Sequence, residues 1–67
     1  MTITVNGEAH TVDDGTTLAA WLDACGLARA QVAVERNGAI VGDDVDWDGV
    51  LLCDGDRLEI VRFVGGG

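Results

Sequence analysis

Polar and apolar positions alternate from the second residue onward, with Thr2 and Thr4 polar and Ile3 and Val5 apolar. A period of two marks a strand with one buried face. Asn6-Gly7 follows, two residue types that tolerate the positive φ angles of a type I′ turn. "EAHTV" then returns as the second strand of a hairpin, and Asp13-Asp14-Gly15 ends it. The period changes in "TTLAAWLDACGL", where Leu18, Trp21, Leu22 and Cys25 fall at i, i+3, i+4 and i+7. That spacing gives a helix one apolar stripe. Thr17 is placed to cap it with its hydroxyl. Gly26 is placed to end it in the left-handed conformation, with Leu27 folding back on the stripe. A helix of about two turns does not hold by itself, so the stripe must dock on a sheet.

"QVAVERNGAIV" repeats the hairpin pattern: Val32 and Val34 point one way, Asn37-Gly38 turns, and Ile40-Val41 returns. "GDDVDWDG" is an acidic loop with two apolar anchors, Val45 and Trp47. After a short apolar "VLL" and a "DGD" turn, "RLEIVRFV" forms a long last strand. Its alternation puts Leu58 and Ile60 on the helix side, and Val61 and Phe63 on the other. The order β-β-α-β-β-β predicts an α+β fold, a mixed sheet of four to five strands with one main helix packed across it. Parallel pairing of the first and last strands at the sheet centre would complete a β-grasp.

Composition narrows the function classes. Residues 1–64 are expected to form one domain and residues 65–67 a flexible tail. No apolar run approaches the roughly 18 residues of a membrane span, and "MTITVNGEAH" has no basic leader region. A cytoplasmic, non-membrane protein is expected. The net charge is −8, which repels phosphates and argues against nucleic-acid binding. It favours a basic protein partner. All four basic residues are Arg, so no side-chain amine can start Schiff-base chemistry. Cys25 and Cys53 form no CxxC and sit in apolar stretches, "LDACGL" and "VLLCDG". They are expected to be buried free thiols.

Few motifs carry chemistry. Asp44, Asp46, Asp48 and Gly49 match the opening of a calcium-binding EF-hand loop, but the twelfth position, which needs a bidentate Glu, is Gly55. A solvated loop pinned by Trp47 accounts for the same residues, and no metal is expected. His10 stands alone on a strand, with no nucleophile placed for it. Asp13-Asp14 and Asp54/Asp56 flank glycines in turns, and turn formation accounts for them. No catalytic residue of its own is expected. The chain ends Gly65-Gly66-Gly67. Three residues without side chains can thread a channel in which any Cβ would clash. The last one presents a carboxylate, which becomes electrophilic once joined to AMP as a mixed anhydride. A frayed terminus or a vector-derived scar would also read as glycine.

Taken together, "VNGE", "TTLAAWLDACGL", "VAVERNGAIV", the Trp47 loop and "DGDRLEIVRFVGGG" resemble the ThiS family, the sulfur carriers of thiamin biosynthesis among the ubiquitin-like β-grasp proteins. The similarity covers essentially the whole chain, and the terminal "DGDRLEIVRFVGGG" is its most specific part. The resemblance implies a ubiquitin-like β-grasp and a mechanism carried by the tail. A ThiF-like adenylyltransferase would use ATP and magnesium to adenylate the Gly67 carboxylate. Sulfur drawn from cysteine by a cysteine desulfurase would displace AMP and leave a thiocarboxylate, a covalent 1-thioglycine. A ThiG-like thiazole synthase would take that sulfur into the thiazole ring. Gly67 is then the reacting residue, Gly65 and Gly66 give reach, and the chain is a cosubstrate with no tightly bound cofactor.

Two features depart from the family pattern: "GDDVD" stands where members commonly carry Pro and mixed charge, and the tail has three glycines where two suffice. The molybdopterin sulfur carrier shares the fold and the tail chemistry, but its members tend to be longer, with prolines before the tail. This chain has none. Val61 and Phe63, with Val64, are candidates for a partner interface; cover by a loop, or isolated exposure, would also account for them. A modifier ligated through Gly67 to lysines, and an interaction module that works without its tail, are readings of other classes.

Overall fold

The computed structural model describes residues 1–63. Its strands are β1 (Thr2–Val5), β2 (Glu8–Thr11), β3 (Val32–Arg36), β4 (Ala39–Ile40) and β5 (Arg57–Arg62). The helix α1 (Leu18–Ala24) lies between β2 and β3, and short 3₁₀ turns occupy Arg29–Gln31 and Trp47–Gly49. The strands form one sheet in the order β2-β1-β5-β3-β4. β1 and β5 run parallel, with Thr4 opposite Arg57 and Val5 opposite Leu58. β3 lies antiparallel to β5, from Val32 opposite Arg62 to Arg36 opposite Leu58. The last strand is therefore the middle of the sheet, as the β-grasp expectation requires.

Both hairpins turn where the sequence places them. Asn6 and Gly7 have φ of 49° and 82°, and Asn37 and Gly38 have 51° and 86°. These left-handed values fit the right-handed twist of paired strands. The first strand of each hairpin and β5 between them send alternate residues into one core: Ile3 and Val5 from β1, Val32 and Val34 from β3, and Leu58 from β5. Leu18 and Leu22 of α1 pack against them, together with Trp47 and Leu52.

α1 begins and ends as its residue types dictate. The Thr17 hydroxyl oxygen accepts from the Ala20 N–H at 3.1 Å. At the far end Gly26 takes a φ of 74°. The Gly26 N–H donates to the Asp23 carbonyl and the Leu27 N–H to the Leu22 carbonyl. These two bonds are a Schellman motif, and Leu27 packs on the core as that motif predicts. Among the described residues no helix is long and apolar enough to cross a membrane.

Three expectations need correction or limit. Cys25 and Cys53 are exposed free thiols. The Cys25 stripe position coincides with the C-cap of α1, where the helix has run past the sheet that would cover it. Cys53 opens the turn that its own carbonyl closes by accepting from the Asp56 N–H, so its side chain stays at the surface. The expected strand over "RLEIVRFV" ends at Arg62. Val64 and the tail lie outside the described residues.

Candidate functional site

β5 is the element that delivers the chain to its carboxyl end, and it is bonded along both sides. Toward β3, the full register from Leu58 to Arg62 is paired. The ladder extends one step further, because the Phe63 N–H donates to the Gln31 carbonyl at 2.8 Å. Toward β1, the Asp56 and Leu58 carbonyls accept from the Thr4 and Asn6 N–H groups, each at 2.9 Å. The Asn6 side chain adds two bonds to Ile60, accepting from its N–H at 2.7 Å and donating to its carbonyl at 3.1 Å.

The start of β5 is held by a polar node. Asp56 is only 6% exposed. Its carboxylate pairs with the Arg36 guanidinium at 2.8 Å. It also accepts from the Asn37 side-chain amide at 3.0 Å and the Cys53 N–H at 2.8 Å. Burial pushes the carboxyl's pKa up, but the Cys53 N–H, the Asn37 amide and the Arg36 charge outweigh it and hold the group below the ordinary carboxylate value. Asn37 further accepts from the Arg57 N–H at 2.9 Å. The sequence marked Asp56 and both Asn residues only as turn formers. Apart from the Cys53 N–H, their side-chain bonds reach partners 19 to 54 positions away, which local pattern does not carry.

The faces of β5 divide as predicted. Leu58 is buried and Ile60 packs beside the core. Val61 and Phe63 are 60% and 58% exposed on the opposite side, so no loop among the described residues covers them. Ala33 of β3 is also exposed and lies opposite Val61. With Ile40, 78% exposed, these side chains put apolar surface close to the root of the tail. Phe63 and Ile40 also border a groove of ≈ 400 Å³ that reaches Val34 and Trp47. The tail residues Gly65, Gly66 and Gly67, and the interface candidate Val64, lie outside the described residues.

The acidic loop is organised around Trp47. Its ring is buried, its indole N–H donates to the Gly42 carbonyl at 3.0 Å, and the Arg29 guanidinium lies 4.4 Å from the ring centroid. Arg29 also donates to the Asp43 carbonyl. Asp46 caps the following 3₁₀ turn by accepting from the Asp48 N–H. Among the described residues no three His, Cys, Asp or Glu side chains converge as a metal site would. His10 meets the edge of Trp21, with ring centroids 5.5 Å apart. Although Cys25 is exposed as a residue, burial around its thiol pushes the pKa up. That lowers the thiolate fraction a nucleophile needs.

Comparison with known proteins places this arrangement. The model of the ThiS family matches residues 3–67. A thiazole synthase of Magnetococcus marinus is 45% identical over the whole chain, and one of Paramagnetospirillum magneticum is 42% identical. The chain spans only 20% of the length of each of these two relatives. The sulfur carrier protein ThiS of Bacillus subtilis is 56% identical over 36 residues, which is 54% of this chain and 53% of that protein. The crystal structure of the thiamine biosynthesis protein ThiS from Geobacter metallireducens superposes with a TM-score of 0.79 at 37% identity, covering all of both chains.

Proposed function

The chain belongs to the ThiS family, and on that premise we propose that it is a sulfur carrier for the thiazole ring of thiamin. The observation that carries this reading is the extent of the family match, which runs to residue 67 and so includes all three glycines. In this function the Gly67 carboxylate attacks the α-phosphorus of magnesium-bound ATP on a ThiF-like adenylyltransferase, and pyrophosphate leaves. A persulfide sulfur, supplied from cysteine through a cysteine desulfurase, then adds to the acyl carbon and displaces AMP, and a thiol attacks the outer sulfur of the resulting acyl disulfide, forming a disulfide and freeing the acyl-bound sulfur. The product is a thiocarboxylate on Gly67, with Gly65 and Gly66 slender enough to enter the partner's active site.

The chain is a cytoplasmic cosubstrate rather than an enzyme. Two thiazole synthases contain a segment that matches the whole chain, which supports a ThiG-like thiazole synthase as the acceptor. Exposed apolar groups beside a reactive terminus have the character of an interface core. Val61 and Phe63, continued by Val64, therefore form the docking surface in this reading.

The test is the intact mass of the full chain after incubation with ATP, magnesium, cysteine, a desulfurase, a thiol reductant and a ThiF-type enzyme. Exchange of one oxygen for sulfur, confined to Gly67 and lost when Gly67 is deleted, is the expected result. An unmodified chain beside an active partner would overturn the carrier function.

A further inference from the structure

Asn6 does more than turn the first hairpin. β1 pairs with β5 only as far as Val5 and Leu58, yet β5 continues to Arg62. The even-numbered residues of β5 turn their backbone groups toward β1, as the bonds from Thr4 to Asp56 and from Asn6 to Leu58 show. The next groups in that row belong to Ile60, and there the β1 chain is already turning away through Asn6, at φ 49°. The Asn6 amide takes both of them, oxygen to the Ile60 N–H and nitrogen to the Ile60 carbonyl. A primary amide has a donor and an acceptor side by side, so this side chain acts as one more rung of the ladder. Only residues 61–64 separate Ile60 from Gly65.

We propose that Asn6 is a positioning residue for the tail. Its amide holds Ile60 and thereby fixes the end of β5 from which the glycines reach the adenylating partner. The proposal rests on the carrier function above. The molecule contains its own control in Asn37, which occupies the same turn position at φ 51°. Asn37 grips the opposite end of β5, through the Arg57 N–H and the Asp56 carboxylate.

The experiment compares the full chain with Asn6→Gly, Asn6→Asp and Asn37→Gly. Glycine keeps both turns, since positive φ carries no steric cost for it. Amide exchange is followed at Ile60 and Phe63, with Ile3 as the core reference, and adenylation is followed by pyrophosphate release with a ThiF-type enzyme and Mg-ATP. Loss of two hydrogen bonds lowers the fraction of molecules with a fixed strand end. Asn6→Gly should therefore speed exchange at Ile60 and Phe63 about tenfold relative to Ile3. It should raise KM for the carrier about fivefold to tenfold, with kcat near native, as for any ligand whose competent state is partly populated. Asn6→Asp keeps the acceptor and loses the donor, so it should fall between. Asn37→Gly should lose at least as much thermal stability with KM near native. Equal rises in KM for the two glycine variants, or native exchange at Phe63 in Asn6→Gly, would overturn the proposal. If the enzyme leaves even the native chain unmodified, the carrier function fails, and the exchange rates alone decide whether the clamp exists.

Discussion

Asp56 is the one buried charged side chain among the described residues, and its surroundings all favour the ionised form except burial itself. Because its folded pKa lies below the unfolded value of about 3.9, its stabilisation is present above that pH and disappears as the pH falls through the lower folded value. Asp56→Asn should cost about 2 kcal/mol near pH 7, the range for hydrogen bonds to a charged group. The gap between native and variant should close as the pH drops below about 4. Urea melts of both proteins at pH 7 and pH 3 measure this; an equal gap at the two values would show that the charge contributes nothing. A domain of this size has a net stability of only about 3–10 kcal/mol, so the loss is a large share. None of this was legible in "DGD". The turn was readable because turn chemistry is local, whereas Arg36 and Asn37 meet Asp56 only after the second hairpin docks on β5.

Elements were legible wherever two local signals agreed. The hairpins had alternation plus Asn-Gly, and α1 had a stripe plus both caps. Thr17→Ala removes the acceptor for the Ala20 N–H and should cost about 1 kcal/mol. For a domain of this size that is about 5 °C in Tm, and a thermal melt checks it. A variant that melts with the native chain would mean that the Leu18 and Leu22 contacts alone set the helix start. The cysteines show where such reading stops. Cys25 continues the stripe in register, but periodicity does not say where the sheet beneath it ends. The acidic loop was half legible: of its two expected anchors Val45 stays 41% exposed, whereas the large ring of Trp47 has to find cover. Trp47 finds it against Leu18, Leu22 and Leu52 in the core.

At the scale of the whole molecule, the parallel pairing of β1 and β5 was foreseen from element order alone, and it sets which face of the sheet is left open. Val61 of β5 and Phe63 just beyond it miss the helix and emerge exposed. Phe63→Ala should leave Tm within a few degrees of native, as expected for a largely exposed side chain. It should raise KM for adenylation by about tenfold if Phe63 anchors the partner. A native KM would remove Phe63 from the interface. The tail itself was legible only as chemistry, since glycines carry no pattern of burial. The position of β5 has a further consequence for how the protein is made. The strand that joins the two hairpins comes after all the others in chain order, and its contacts with β1 span more than fifty residues of chain. A nascent or truncated chain ending before Arg57 has no centre to its sheet, so folding must wait until β5 has been made. A fragment that lacks β5 therefore cannot close the fold and is left as substrate for proteolysis.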